Sequence, residues 1–179
     1  MFTCVFIMSF KEIILAEIEM IRIGTENVLL TIPKDKLDFR PKNHMMPLGH
    51  LAYHVSTVLY QELFIFENKW VPSKDIKPLL SLIDQELGPS VDKSDFVAIF
   101  NLSVAFFTNY YKNLSEDEWI NKTFSYVIQP EPQSYLQGLI GALSHLVQHR
   151  GALYSYLRML ETDINFMNYF GFQKPNIKS

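Results

Sequence analysis

The sequence predicts an all-α protein, a four-helix bundle with a metal site between its second and fourth long helices. Four long segments repeat apolar side chains at helical spacing. Proline and glycine punctuate the gaps between them, at Pro33, Pro72, Gly88-Pro89 and Pro132. Two histidine pairs, each four residues apart, fall in the second and fourth segments. A helix of about twenty residues is about 30 Å long, and four of these, each with one apolar stripe, bury their stripes by forming a bundle. The 179 residues suit one domain over 1–179.

The first helix starts at Ser9-Phe-Lys-Glu12, whose spacing lets a hydroxyl and a carboxylate satisfy the first free amides. Ile13, Ile14, Glu17, Ile18 and Ile21, then Val28 and Leu29, continue its period. Pro33 stops it, and 34–43 is a polar connection. Pro47 suits the first turn of the second helix, whose stripe runs Leu48, Leu51, Val55, Val58, Leu59, Leu63 and Phe66 to an end near Trp70-Val-Pro72. A short helix over 73–87 closes at Gly88-Pro89. The third long helix, 95–114, carries Phe96, Ile99, Phe100, Val104, Phe106, Phe107 and Tyr110. Ser115 to Glu118 has capping-box spacing for a single turn, and 123–129, β-prone but isolated, is expected to be loop. Pro132 opens the fourth long helix, which reaches about Glu161. The tail from Thr162 holds Phe166, Tyr169, Phe170 and Phe172 and is expected to pack back on the body.

Composition excludes several classes of function. The chain is 48% hydrophobic and 20% charged, enough to bury a core and too apolar for disorder. A net charge of −3 provides no broad basic field, which disfavours nucleic acid as partner. Cys4 is the only cysteine, so neither an internal disulfide nor a cysteine-ligated zinc site can form. The longest uncharged apolar run, 96–111, falls short of the roughly 20 residues that span a bilayer and contains Asn101 and Asn109. The apolar stretch 1–8 lacks a basic n-region and a small-residue cleavage site. A stray upstream start, with Met8 as initiator, explains it equally well. These features lead us to expect a cytoplasmic protein without a membrane partner. Homodimerisation through helix faces is compatible with the pattern, which does not dictate it.

Of five histidines, His50 pairs with His54 and His145 with His149. Residues four apart on a helix have Cβ atoms about 5–6 Å apart on one face, so two imidazoles can converge on one ion. His54 keeps phase with Leu51, Val55 and Val58, whereas His50 aligns with Thr57 and Gln61 on the more polar side. The two differ by only about 40° of rotation. The phase favours His54, His145 and His149 as metal ligands, with His50 outside the sphere or at the surface. Three neutral ligands leave a coordination position open, the pattern of a catalytic site. The competing arrangement is a bundle whose histidines bond to backbone or water. His44, in the connection, reads as a surface residue.

At these residues the sequence resembles the DinB/YfiT-like superfamily of metal-binding four-helix proteins. His145-Leu-Val-Gln-His149-Arg150-Gly151, followed by Tyr156-Leu157-Arg158, is similar to that superfamily's H-x-x-x-H-R-G-Q-x-x-x-Y-L-R segment. Leu37-Asp-Phe-Arg40-Pro41 and Leu48-Gly-His-Leu-Ala-Tyr-His54 resemble a second one, in which His54 takes the ligand position. Gln148 stands where a further histidine is frequent, and Ala152 where glutamine is usual. The resemblance implies an antiparallel bundle holding a divalent metal, zinc or nickel. Characterised relatives include S-transferases that use a low-molecular-weight thiol such as bacillithiol or mycothiol.

The activity expected from this reading is metal-assisted transfer of such a thiol to an electrophilic small molecule. A chain without a suitably placed cysteine could run sulfur chemistry if a cofactor brings the thiol. Arg150 is a candidate for a cofactor carboxylate, since guanidinium matches that geometry bidentately; a structural ion pair or a surface position is the stronger reading for it. Tyr154 and Tyr156 read as packing. The alternatives are a metal-dependent hydrolase, for which Glu62 is a candidate base or simply a solvated carboxylate, and a non-enzymatic metal-bound stress or binding protein.

Overall fold

A computed structural model describes residues 8–72, 75–125 and 131–176. Four long helices dominate: α1 (Phe10–Leu30), α2 (Leu48–Phe66), α4 (Phe96–Lys112) and α6 (Tyr135–Met159). Three shorter ones, α3 (Lys77–Leu87), α5 (Glu116–Asn121) and α7 (Phe166–Tyr169), and a 3-10 turn (Lys34–Lys36) complete the helical elements. The all-α bundle expected from the sequence is the architecture observed.

The helix ends follow local chemistry. Ser9 accepts from the Glu12 amide while Glu12 reaches back to the Ser9 amide, and Ser115 with Glu118 does the same for α5. That second cap starts six residues of helix rather than one turn, because Trp119 is fully buried with its indole N–H donating to the Tyr111 carbonyl. The fourth long helix starts later than expected. Ser134 and Gln137 form its capping box, and Pro132 lies before it. Residues Thr123–Phe124 (β1) are not loop: they pair antiparallel with Gln133–Ser134 (β2), Thr123 opposite Ser134. The rest of the expected loop, 126–129, lies outside the described residues, as do 1–7 and 73–74. Two long helices end in Schellman geometry with a non-glycine residue in the left-handed region, Asn68 (φ 55°) after α2 and Glu161 (φ 56°) after α6.

The bundle order is α1–α4–α2–α6, with α1 diagonal to α2. Direction follows from cross-helix contacts. Lys11 reaches the Leu114 carbonyl and Arg22 the Asn101 side chain, so α1 and α4 run antiparallel. His54 meets His145, and the Gly138 backbone approaches Phe66, so α2 and α6 are antiparallel as well. Ser56 bonds to the Phe96 carbonyl and the Tyr60 amide to Ser103, so α2 and α4 run parallel. Two helices therefore point each way, in the order up-down-down-up. Parallel neighbours need a long return, and residues 67–95, with α3, supply it.

Val28, Leu48, Val55, Leu63, Phe107 and Leu157 are among the fully buried residues of the main core. A second apolar cluster, Tyr60 and Phe64 with Leu79, Ile83, Leu87 and Ile99, fastens α3 to the outside of α2 and α4. The tail does pack back, through buried Ile164 and Asn168 and through Tyr169. Phe166, Phe170 and Phe172, in contrast, stay exposed. No helix among the described residues is long and apolar enough to cross a membrane.

Candidate metal centre

The site forms where α2 and α6 face each other halfway along the bundle. His54 lies on the margin of the α2 stripe, with buried Leu51, Val55 and Val58 beside it. His145 and His149 lie one turn apart on α6, next to buried Leu146 and Leu153. At one end of this interface a Cβ on Gly138 would lie 2.8 Å from the Phe124 ring and 3.1 Å from Phe66. The missing side chain thus admits the aromatic rings of α2 and β1 against the α6 backbone.

The three imidazoles converge. His54 Nε2 is 3.4 Å from His145 Nε2. The His149 ring centre is 4.5 Å from that of His54 and 4.8 Å from that of His145. One nitrogen from each residue can be chosen so that all lie within 4.8 Å of one another. Tetrahedral zinc with bonds of about 2.0–2.1 Å places its nitrogens about 3.3–3.4 Å apart. The His54–His145 pair already has that spacing, and the His149 nitrogen lies within 4.8 Å of both. The cluster could therefore hold a divalent metal ion. Among the described residues it has three members, and His50, the other histidine of its pair, is exposed on the same helix outside it.

The electrostatics suit a cation. Burial, followed by the neighbouring His149 and His145, pushes His54 down to about 4. Burial and His145 likewise lower His149. At neutral pH both rings are uncharged, and their lone pairs are free to ligate.

Behind His145 stands Glu62, whose Oε1 accepts from His145 Nδ1 at 2.6 Å. The carboxylate is only 8% exposed. Glu62 is therefore neither a solvated carboxylate nor placed as a free base: it holds His145 as the Nδ1–H tautomer, leaving the lone pair on Nε2. Behind His54, the Gln61 amide lies 3.2 Å from Nδ1 and 3.0 Å from the Thr57 hydroxyl. The two ends of an amide are nearly equal in size. The atom placed there is Gln61 Nε2, which donates to the Thr57 hydroxyl; only with the amide turned over would its oxygen accept from Nδ1–H and leave the His54 Nε2 lone pair facing His145. The sequence did not single out Gln61 for this role. A carboxylate inside an apolar stripe, flanked by Leu59, Leu63 and Phe66, was the available signal for Glu62, since burying it demands a partner.

Arg150 points elsewhere. It is 5% exposed, its guanidinium lies 4.4 Å from the Tyr169 ring centre, and Nη1 donates to the Ile21 carbonyl at 3.3 Å. It joins α6 to α1 and α7 by a ring contact and a carbonyl bond, buried rather than at the surface. Tyr156 is buried with its hydroxyl donating to the Met46 carbonyl, and Tyr154 packs between Tyr169 and Arg158. His44 is exposed.

A cleft of about 580 Å³ adjoins His54. His54 and Gln61 form part of one wall, α3 and Trp70 the other.

Comparison with protein-family profiles and with curated proteins finds no match. Solved structures do match. A DinB-like protein of Bacillus subtilis, YjoA, is 19% identical with a TM-score of 0.60, covering 87% of this chain and 96% of that one. A protein described as a DinB family member from Exiguobacterium sibiricum is 19% identical with a TM-score of 0.63, covering 90% and 99%. The chain therefore has the fold of DinB-like proteins, as the resemblance of its histidine segments implied.

Proposed function

We propose that this chain is a metal-dependent S-transferase that joins a low-molecular-weight thiol, of the bacillithiol kind, to an electrophilic small molecule. The observation that supports this reading is a cluster of three imidazoles beside a cleft of about 580 Å³. His54, His145 and His149 would hold zinc or nickel, with Glu62 fixing the His145 tautomer. A divalent cation supplies the positive charge that favours thiolate over thiol at neutral pH. The chain's own contribution is to keep the ligands neutral, to orient them, and to offer apolar walls that exclude water beside them.

A hydrolase would need a base poised over water. Glu62, the nearest candidate in the sequence, is committed to His145. A closed structural site would need a fourth protein ligand, and among the described residues the cluster has three. Both facts favour the transferase reading. It also fits a cytoplasmic setting, where such thiols are kept reduced, with a homodimer as the proposed assembly.

The test is thiol consumption with a panel of electrophiles, comparing chelator-stripped and zinc- or nickel-reloaded protein. Turnover that requires both metal and thiol is expected. Ester or amide hydrolysis by the loaded protein without thiol would replace this reading by the hydrolase.

A further inference from the structure

The cleft beside His54 is more than a vacancy in the packing, and its walls carry chemical information. Met46, Tyr53, Trp70, Ile76, Leu79 and Leu80 line it with mainly apolar surface. Ile76 is 53% exposed although it stands beside this apolar wall. Two charged groups reach the cleft, Asp84 from α3 and Lys93 from the segment before α4. They neutralise each other, with Lys93 Nζ 2.7 Å from Asp84 Oδ2. The remaining polar lining is His50, His54, Gln61 and the Tyr53 hydroxyl.

Away from the histidines, a carboxylate or phosphate entering such a cleft would lose water without gaining an unmatched cation among the described lining residues. An uncharged apolar body loses little water there and gains contact on both walls. We infer that the cleft between α2 and α3 binds the electrophile, and that it selects an uncharged, largely apolar molecule over an anionic one. The inference gives the substrate class for the transferase reading above and rests on it for the word electrophile. The selectivity itself rests on the cleft alone. Asp84 is the residue that sets it: by pairing with Lys93, it occupies the one cationic side chain among the described lining residues.

The test is direct binding to the full-length protein, stripped of metal by chelator and without thiol or turnover, so it reads the cleft walls alone and stands or falls separately from transferase activity. The probes are N-phenyl-1-naphthylamine, which is uncharged, and 8-anilino-1-naphthalenesulfonate, which adds one sulfonate to the same frame. Binding is read as probe fluorescence and as energy transfer from tryptophan. The neutral probe should bind the native protein at least about tenfold tighter. Ile76→Glu, at an exposed position that should not disturb folding, should weaken the neutral probe by about tenfold or more. Asp84→Asn should free Lys93 and narrow the preference by tightening the sulfonate alone. Equal affinity of the two probes for native protein would overturn the inference. So would an Ile76→Glu variant that binds the neutral probe unchanged, which would locate the probe elsewhere, for example on the exposed tail phenylalanines.

Discussion

Replacing Glu62 by alanine tests the centre without touching a proposed ligand. The side chain is buried against His145 and makes a single 2.6 Å bond to Nδ1. That bond does two things. It selects the tautomer with a free Nε2, and it fixes the direction in which that nitrogen points. Without it, the ring is free to rotate and to place its proton on Nε2. Loss of such a partner costs about 10–100-fold in metal affinity, or about 1.4–2.7 kcal/mol. Glu62→Gln keeps an acceptor oxygen but drops the charge, so it should fall between native and alanine. Cobalt(II) titration followed by visible absorbance reports both affinity and ligand geometry. Circular dichroism checks that the helices survive. If Glu62 acts through His145, its removal should cost little more in a His145→Ala background. Native cobalt affinity in a folded Glu62→Ala protein would refute the reasoning, as would an equal loss with and without His145.

Further outcomes follow from the same geometry. His149→Ala should lose most bound metal, since two ligands hold the ion poorly, whereas His50→Ala should keep nearly all of it; elemental analysis of the purified variants decides. Metal-free protein should lose stability on acidification. His54 titrates near 6.5 unfolded but at about 4 folded, so its contribution is present above 6.5 and disappears as pH falls towards 4. The upper bound is about 3 kcal/mol. A melting temperature flat over that range, or a His54→Gln variant with the same pH slope, would contradict this. Glu161→Gly should raise stability by up to about 1 kcal/mol, because Glu161 sits at φ 56° beyond α6; urea unfolding measures it. Gly24→Ala should cost about 1–3 kcal/mol by urea unfolding with metal content unchanged. Its Cβ would meet the Tyr169 carbonyl and lie 2.8 Å from Arg150 Nη1.

The long helices were legible because each stripe repeats at 3.6 residues, and α1, α4 and α6 each start on a side-chain cap while α2 starts at Pro47. His54 was distinguishable from His50 because 40° of rotation around α2 separates the margin of the core from solvent. The β1–β2 pair was not legible: its second strand, Gln133–Ser134, is too short for any periodicity, and the Ser134 cap overlaps it. Helix directions were equally hidden, since a stripe shows which face is buried but not which neighbour covers it. The partner of Glu62 lies 83 residues away. Local spacing marks such a carboxylate as unusual and cannot say what it binds.

Because α2 and α4 point the same way, the chain must travel back outside the bundle before α4 can begin, and α3 is what it builds on the return. That detour is anchored by its own apolar cluster, apart from the main core and from the helix that carries His145 and His149. Its exposed cleft-facing position, Ile76, can accept new side chains with little consequence for folding or for the histidines. Descendants of this architecture could change what they recognise by editing one peripheral segment, keeping their chemical apparatus intact.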